Sequence, residues 1–219
     1  MIRLHHIPFS RSFRILWLME EMGLEAELKH YSITDGSLRA SEFKAISPVG
    51  RVPALEIDGL TIYESGAIVE YLTETRPEHG LGRLAGDPER VPYLEWLGFA
   101  ETQASVLGSL NMQHLFMGDP TPASPVVLKL EAARLGSTLK AMDRTLAERD
   151  WLLESGFSAA DTMMGFNLFA APYYVEMDRF QNLVAYRERI EARPAYQSAR
   201  EKDGKQEFYK KDFYPVPEA

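Results

Sequence analysis

The segment Val52-Pro53-Ala54-Leu55-Glu56-Ile57-Asp58-Gly59-Leu60-Thr61-Ile62-Tyr63 constrains the fold of this chain more than any other. Two strand-like runs are separated by Asp-Gly, the dipeptide that a two-residue hairpin turn favours, and the proline heads the first run. Around this hairpin the chain alternates strand and helix patterns. Residues 2–7 read as a short strand, and residues 8–12 as a turn into the helical run 13–22, which stops at Gly23. Residues 28–33 return as a second strand. Residues 41–46 form a short helix before the break at Ser47-Pro48-Val49-Gly50, and residues 65–75 carry apolar positions at helical spacing up to Pro77. The predicted order is β-α-β-α-β-β-α.

Beyond it the pattern changes. Residues 79–88 hold Gly and Pro without periodicity and read as a linker, and everything after is helical: 91–117, 126–149, 158–174, 183–193 and a short helix after Pro194, with a Pro-rich break at 118–125. At 219 residues and 45% hydrophobic content the chain can bury a sizeable core, so two domains are expected, 1–80 and 88–219. The formal net charge of -8, with Lys and Arg scattered, argues against a nucleic-acid partner. No cysteine is present, which excludes disulfides, thiolate metal sites and a protein thiol nucleophile. Any thiol chemistry must use a sulfur that the ligand brings. His5, His6 and His114 have no metal-ligand spacing, so no metal is expected. The opening residues are too short an apolar run for a signal peptide and no later run approaches a membrane span, so the expected location is cytoplasmic, away from membranes.

Three places in the first eighty residues carry chemical signals. In Phe9-Ser10-Arg11-Ser12-Phe13-Arg14, a hydroxyl at the turn into a helix can accept from free backbone N–H groups, so Ser10 or Ser12 reads as an N-cap. In Gly50-Arg51-Val52-Pro53, the proline is either a plain trans strand start or a cis peptide. The cis form would turn the Val52 N–H and C=O outward to pair with an extended, peptide-like ligand. In Tyr63-Glu64-Ser65-Gly66, Ser65 reads as a helix cap with Glu64 favoured by the helix dipole. The same pair can also receive an amino acid, Glu64 taking its ammonium while Ser65 and the helix N–H groups hold its carboxylate.

A serine before a first helix, Val-Pro opening a third strand and Glu-Ser opening a third helix, in this order and spacing, resemble the cytosolic glutathione S-transferase family in its serine-type, theta-like or bacterial and fungal form. The resemblance implies an α/β thioredoxin-like N-terminal domain that binds glutathione, followed by an all-α C-terminal domain. It implies a catalytic hydroxyl four positions before Arg14, which is Ser10, with Ser12 as runner-up. It also implies a backbone pairing at Val52 before a cis Pro53, a γ-glutamyl receptor in Glu64 and Ser65, and Arg51 near the glycine carboxylate of the tripeptide. Phe157-Ser158-Ala159-Ala160-Asp161 resembles the capping box of the family's buried sixth helix. Thr162 stands where an aliphatic residue often completes the staple.

The activity implied is transfer of glutathione to a small hydrophobic electrophile. Glutathione is then the co-substrate, and a free thiol of pKa about 8.5 must be held as thiolate. Lowering that pKa by two requires roughly 2.7 kcal/mol, within reach of one charge-assisted hydrogen bond and a helix N-terminus. The electrophile is expected between the domains, at Phe9, Arg11, Met112, Gln113 and Phe116, although such residues at helical spacing also read as core or dimer interface. A homodimer is implied as well. The aromatic tail 208–215 is expected to pack over the first domain or the cleft, with its end from Pro215 loosely held. A peroxidase, isomerase or dehalogenase using the same first domain, or a binding module without turnover, would share these features.

Overall fold

The structure, a computed structural model, describes residues 1–117 and 123–216. Residues 118–122 of the expected Pro-rich break and the last three residues of the tail lie outside them. The elements are β1 (Arg3–His6), α1 (Ser12–Glu21), β2 (Glu27–His30), α2 (Ser41–Ile46), β3 (Ala54–Ile57), β4 (Leu60–Tyr63), α3 (Ser65–Thr75), α4 (Arg90–Asn111), α5 (Pro125–Thr145), α6 (Ala159–Ala170), α7 (Gln181–Glu191) and α8 (Pro194–Asp203).

The predicted β-α-β-α-β-β-α order is present, on a four-stranded sheet ordered β2-β1-β3-β4. β1 runs parallel to β2 and antiparallel to β3, so Leu4 faces Leu28 on one side and Leu55 on the other. The hairpin pairs Ala54 with Tyr63 and Ile57 with Leu60, and Asp58 and Gly59 both take the positive φ that the tight turn demands. Leu4, Leu55, Ile57, Ile68, Val69 and Leu72 are buried. This is the thioredoxin-like half that the family resemblance implied.

α1 is buried over an unbroken run from Ser12 to Met19, far more than one apolar stripe against a sheet requires. The cover comes from α3 and from α8. Tyr196 of α8 stands edge-on to Phe13 and Trp17, with centroids 5.6 and 5.1 Å apart. Arg193 grips both oxygens of Glu21 at 2.7 Å, while Ser198 and Lys202 each reach Glu20 at 2.6 Å. Two compact units result: Met1–Arg90 together with Glu191–Gln206, and Val91–Ile190 together with the segment from Glu207. The helix after Pro194, grouped by sequence pattern with the C-terminal half, is therefore part of the first unit.

The second unit is helical. α4 was expected to reach Met117 but leaves α geometry at Asn111, and Met112–Phe116 form a π-helical turn. α6 stops early because Pro172 cannot continue it, and Ala171–Tyr173 form a 3-10 turn. The capping box at its start is formed. Asp161 accepts the Ser158 N–H at 2.8 Å, and also Leu152 N–H at 3.1 Å and the Tyr186 hydroxyl at 2.8 Å. Thr162 is fully buried, its hydroxyl donating to the Ala159 carbonyl at 2.9 Å, which explains why a polar residue is tolerated there. The aromatic tail packs within this unit: Tyr209 stacks on Tyr173 at 3.8 Å, and Tyr214 sits against Tyr174 and His114.

Candidate functional site

Three segments of the first unit that are distant in sequence share one groove, lined by Arg11, Ser47, Val49, Arg51, Val52, Pro53, Tyr63, Glu64 and Ser65. The turn before β3 is held closed by Ser47, whose hydroxyl donates to the Arg51 carbonyl at 2.8 Å and accepts the Arg51 N–H at 3.2 Å. Gly50 is required there, because it has φ +64° and a Cβ would lie 2.6 Å from the Leu38 carbonyl oxygen. The Val52–Pro53 peptide is cis. Among the described residues, the Val52 N–H and C=O take no hydrogen bond from the protein although the residue is buried. A buried unpaired peptide is costly and marks a place where a ligand's backbone can complete the pairing. The Arg51 guanidinium is exposed and pairs with no acidic group among the described residues.

The β4–α3 corner is bent by Glu64, which has φ +72° and ψ 124°. A non-glycine residue held there costs about 1–3 kcal/mol, and such residues concentrate at ligand sites. The reading of Ser65 as a cap is corrected: Glu64 occupies the cap position without a side-chain bond, and Ser65 is the first helical residue. The Ser65 hydroxyl and the exposed Glu64 carboxylate have no partner among the described residues. One oxygen pair of negative charge, one hydroxyl and the open N–H groups of a helix start therefore face the groove, a set that fits the ammonium and carboxylate of an amino acid.

The turn before α1 differs from the expected capping arrangement. Arg11 is the cap residue and has no side-chain cap bond; Ser12 is inside the helix, with its hydroxyl turned back toward β1. Ser10 Oγ accepts the Ser12 N–H at 3.3 Å and lies 2.8 Å from Ser12 Oγ. Ser12 Oγ accepts the Ile7 N–H at 3.2 Å, lies 2.8 Å from His6 Nδ1, and approaches the Ile7 carbonyl at 3.3 Å. His6 Nε2 is 3.2 Å from both the backbone oxygen and Oδ1 of Asp203 in α8. The Asp203 carboxylate also accepts the Phe9 N–H at 3.2 and 3.3 Å and Arg200 at 2.9 Å. Ser12, His6 and Asp203 are fully buried, whereas Ser10 is half-buried beside the groove-lining Arg11.

The residues expected around the electrophile divide between the units. In the first, Phe9 has φ +56° and its ring lies 4.1 Å beneath the Arg200 guanidinium. In the second, Met112 and Phe116 are exposed on the π-helical turn, while Gln113 accepts the Ser124 N–H at 2.8 Å. His5 binds the Tyr31 hydroxyl and Glu56, and among the described residues no group of three potential metal ligands occurs. His6 and Asp203 were missed as site residues. They are 197 residues apart and no spacing connects them.

Residues 1–74 match the family model described as the glutathione S-transferase, N-terminal domain. Over 216 residues the chain is 29% identical to glutathione S-transferase 3 of Schizosaccharomyces pombe, covering 92% of this chain and 88% of the relative. Over 188 residues it is 30% identical to the glutathione S-transferase-like protein LUC7 of a Fusarium species, covering 82% and 83%. Among solved structures, a glutathione transferase of Methylococcus capsulatus superposes with a TM-score of 0.81 at 27% identity, covering 93% of this chain and 98% of that one.

Proposed function

Because the chain belongs to the glutathione S-transferase family, we propose that it is a glutathione transferase that binds the tripeptide in the groove of its first unit and holds the thiol as thiolate for attack on a small hydrophobic electrophile. The observation that carries this reading is the groove itself. Its unpaired Val52 peptide, Glu64 carboxylate, Ser65 hydroxyl and Arg51 guanidinium are complementary, in kind and in order, to a γ-glutamyl end, a peptide backbone and a terminal carboxylate.

Glu64 takes the ligand ammonium, Ser65 and the first N–H groups of α3 take its α-carboxylate, and Val52 pairs with the cysteinyl backbone. That places the sulfur toward the β1–α1 turn, where the half-buried Ser10 hydroxyl and the N-terminus of α1 favour the anion. Complete burial of Ser12 supports Ser10 as the group that meets the ligand. A cytoplasmic homodimer completes the reading, by analogy with the family.

The test is the ultraviolet absorbance of the thiolate as glutathione is titrated onto the protein across pH. Saturable binding with a thiol pKa well below the free value of about 8.5, lost in Ser10→Ala, is the expected result. Unchanged thiolate in Ser10→Ala would move the role to another group. Absence of saturable binding would leave an interaction module on this fold.

A further inference from the structure

The buried chain of polar atoms behind Ser10 has a direction, and hydrogen counting defines it. His6 Nε2 faces only acceptors, the Asp203 carboxylate and the Asp203 backbone oxygen, so it carries a proton in every state of the pair. The variable atom is Nδ1, 2.8 Å from Ser12 Oγ. When Nδ1 is bare, the single Ser12 proton has two acceptors, Nδ1 at 2.8 Å and the Ile7 carbonyl at 3.3 Å, and it takes the shorter contact. Across the 2.8 Å contact Ser10 must then donate inward and show a lone pair outward. When Nδ1 is protonated, Ser12 accepts from it and from the Ile7 N–H, which frees the Ser12 proton for Ser10 and the Ser10 proton for whatever lies outside. Only the second arrangement can donate to a thiolate.

From this geometry we infer that His6, held by Asp203, is the proton acceptor for thiol activation, acting through Ser12 and Ser10 as a relay. The inference rests on the proposed function, with the glutathione thiol placed against Ser10. In the step, the S–H proton moves to Ser10 Oγ, the Ser10 proton moves to Ser12 Oγ, and the Ser12 proton moves to His6 Nδ1. One S–H bond breaks, one N–H bond forms, and a neutral thiol and imidazole become a thiolate and an imidazolium with no external base. The charge pair is separated by two hydroxyls that each end the step with their proton count unchanged. The new imidazolium lies against Asp203, whose carboxylate already takes Arg200 and the Phe9 N–H. His30 of β2 is the other titratable group facing His6, edge-on at 5.5 Å, and burial followed by the repulsion of His6 holds its own pKa below the ordinary histidine value. His6 and Asp203 are positioning residues in this scheme, because neither touches the ligand.

The relay makes a measurable distinction from simple stabilisation by a hydroxyl. If Ser10 only donates to a thiolate, each thiolate formed releases one proton to solvent. If His6 keeps the proton, thiolate appears without that release. The experiment mixes the wild-type protein with saturating glutathione at about pH 8, above the ordinary histidine range. It compares thiolate formed, by ultraviolet absorbance, with protons released, by indicator dye or by calorimetry in buffers of different ionisation enthalpy. Proton release well below thiolate formation is expected, and release equal to thiolate formation in the wild type overturns the relay without touching the transferase reading. Failure to bind glutathione removes both. As a second arm, His6→Asn is expected to lower kcat/KM at neutral pH at least about tenfold, with KM for glutathione within about twofold, and to release one proton per residual thiolate. A folded His6→Asn protein whose bound thiol titrates as in the wild type also overturns the inference.

Discussion

Glu64 is the acidic residue among those lining the groove and has no partner among the described residues to distract it. A charge-assisted hydrogen bond contributes about 1.5–3 kcal/mol, so Glu64→Ala is expected to raise KM for glutathione about 10- to 100-fold while leaving the pKa of the bound thiol unchanged. Steady-state kinetics at saturating electrophile, with the thiolate titration beside them, check both halves. A change confined to kcat would mean that Glu64 does not hold the ground-state ligand. Gly50→Ala, with its Cβ driven toward the Leu38 carbonyl, is expected to lower stability by about 1–3 kcal/mol and to weaken glutathione binding, read by urea unfolding and by calorimetry. At this scale the sequence was legible wherever the chemistry is local. Arg51, Val52, Glu64 and Ser65 each sit in a short motif whose turn geometry follows from its own residues. Ser12 was legible as a hydroxyl but not as a buried one, since its orientation depends on His6 and, through it, on a carboxylate almost two hundred residues away.

Among the elements, α6 has its start written into Ser158 and Asp161, and the cap formed as predicted. What the pattern could not reveal is how completely Asp161 is enclosed. Burial pushes its carboxyl up to about 6, partly offset by the Leu152, Tyr186 and Ser158 donors. A carboxyl whose pKa is raised on folding binds its proton more tightly in the folded state. Its stabilising contribution is full below the unfolded value near 4 and is lost as pH rises through about 6. The difference corresponds to about 3 kcal/mol. Asp161→Asn, neutral at every pH, is expected to flatten this part of the profile. Urea unfolding of both proteins between pH 4 and 7 checks it, and parallel profiles would count against the raised value. Helix starts set by proline or by a cap, as in α5 and α6, were readable to within about two residues. The end of α4 was not, because nothing in Asn111-Met112-Gln113 stops a helix by itself, and Met112–Phe116 carry on in π geometry.

Across the whole molecule, the chain visits the first unit twice. It leaves after Arg90, builds the helical unit and returns at Glu191 to lay α8 along α1. α8 and the Arg193 that caps it supply Tyr196, Asp203 and the Glu21 ion pair to the first unit, so a chain ended after residue 190 is expected to bind glutathione far more weakly and to unfold at lower temperature than the full chain, by calorimetric melting and thiolate titration. Retention of full binding would show α8 to be dispensable to the groove. Sequence pattern assigned α8 to the helical half because a helix looks the same whichever core it covers; only the excess burial of α1 hints that cover must come from elsewhere. The return of α8 has one more result, in time instead of space. A chain is synthesised from its N-terminus and folds in pieces as it emerges. Here the sheet, the first helix and every groove residue appear early, yet the carboxylate that secures His6 and the Phe9 turn is not translated until residue 203. The unit begun first at the ribosome is finished almost last, and until then α1 must keep its second apolar face out of other chains' reach.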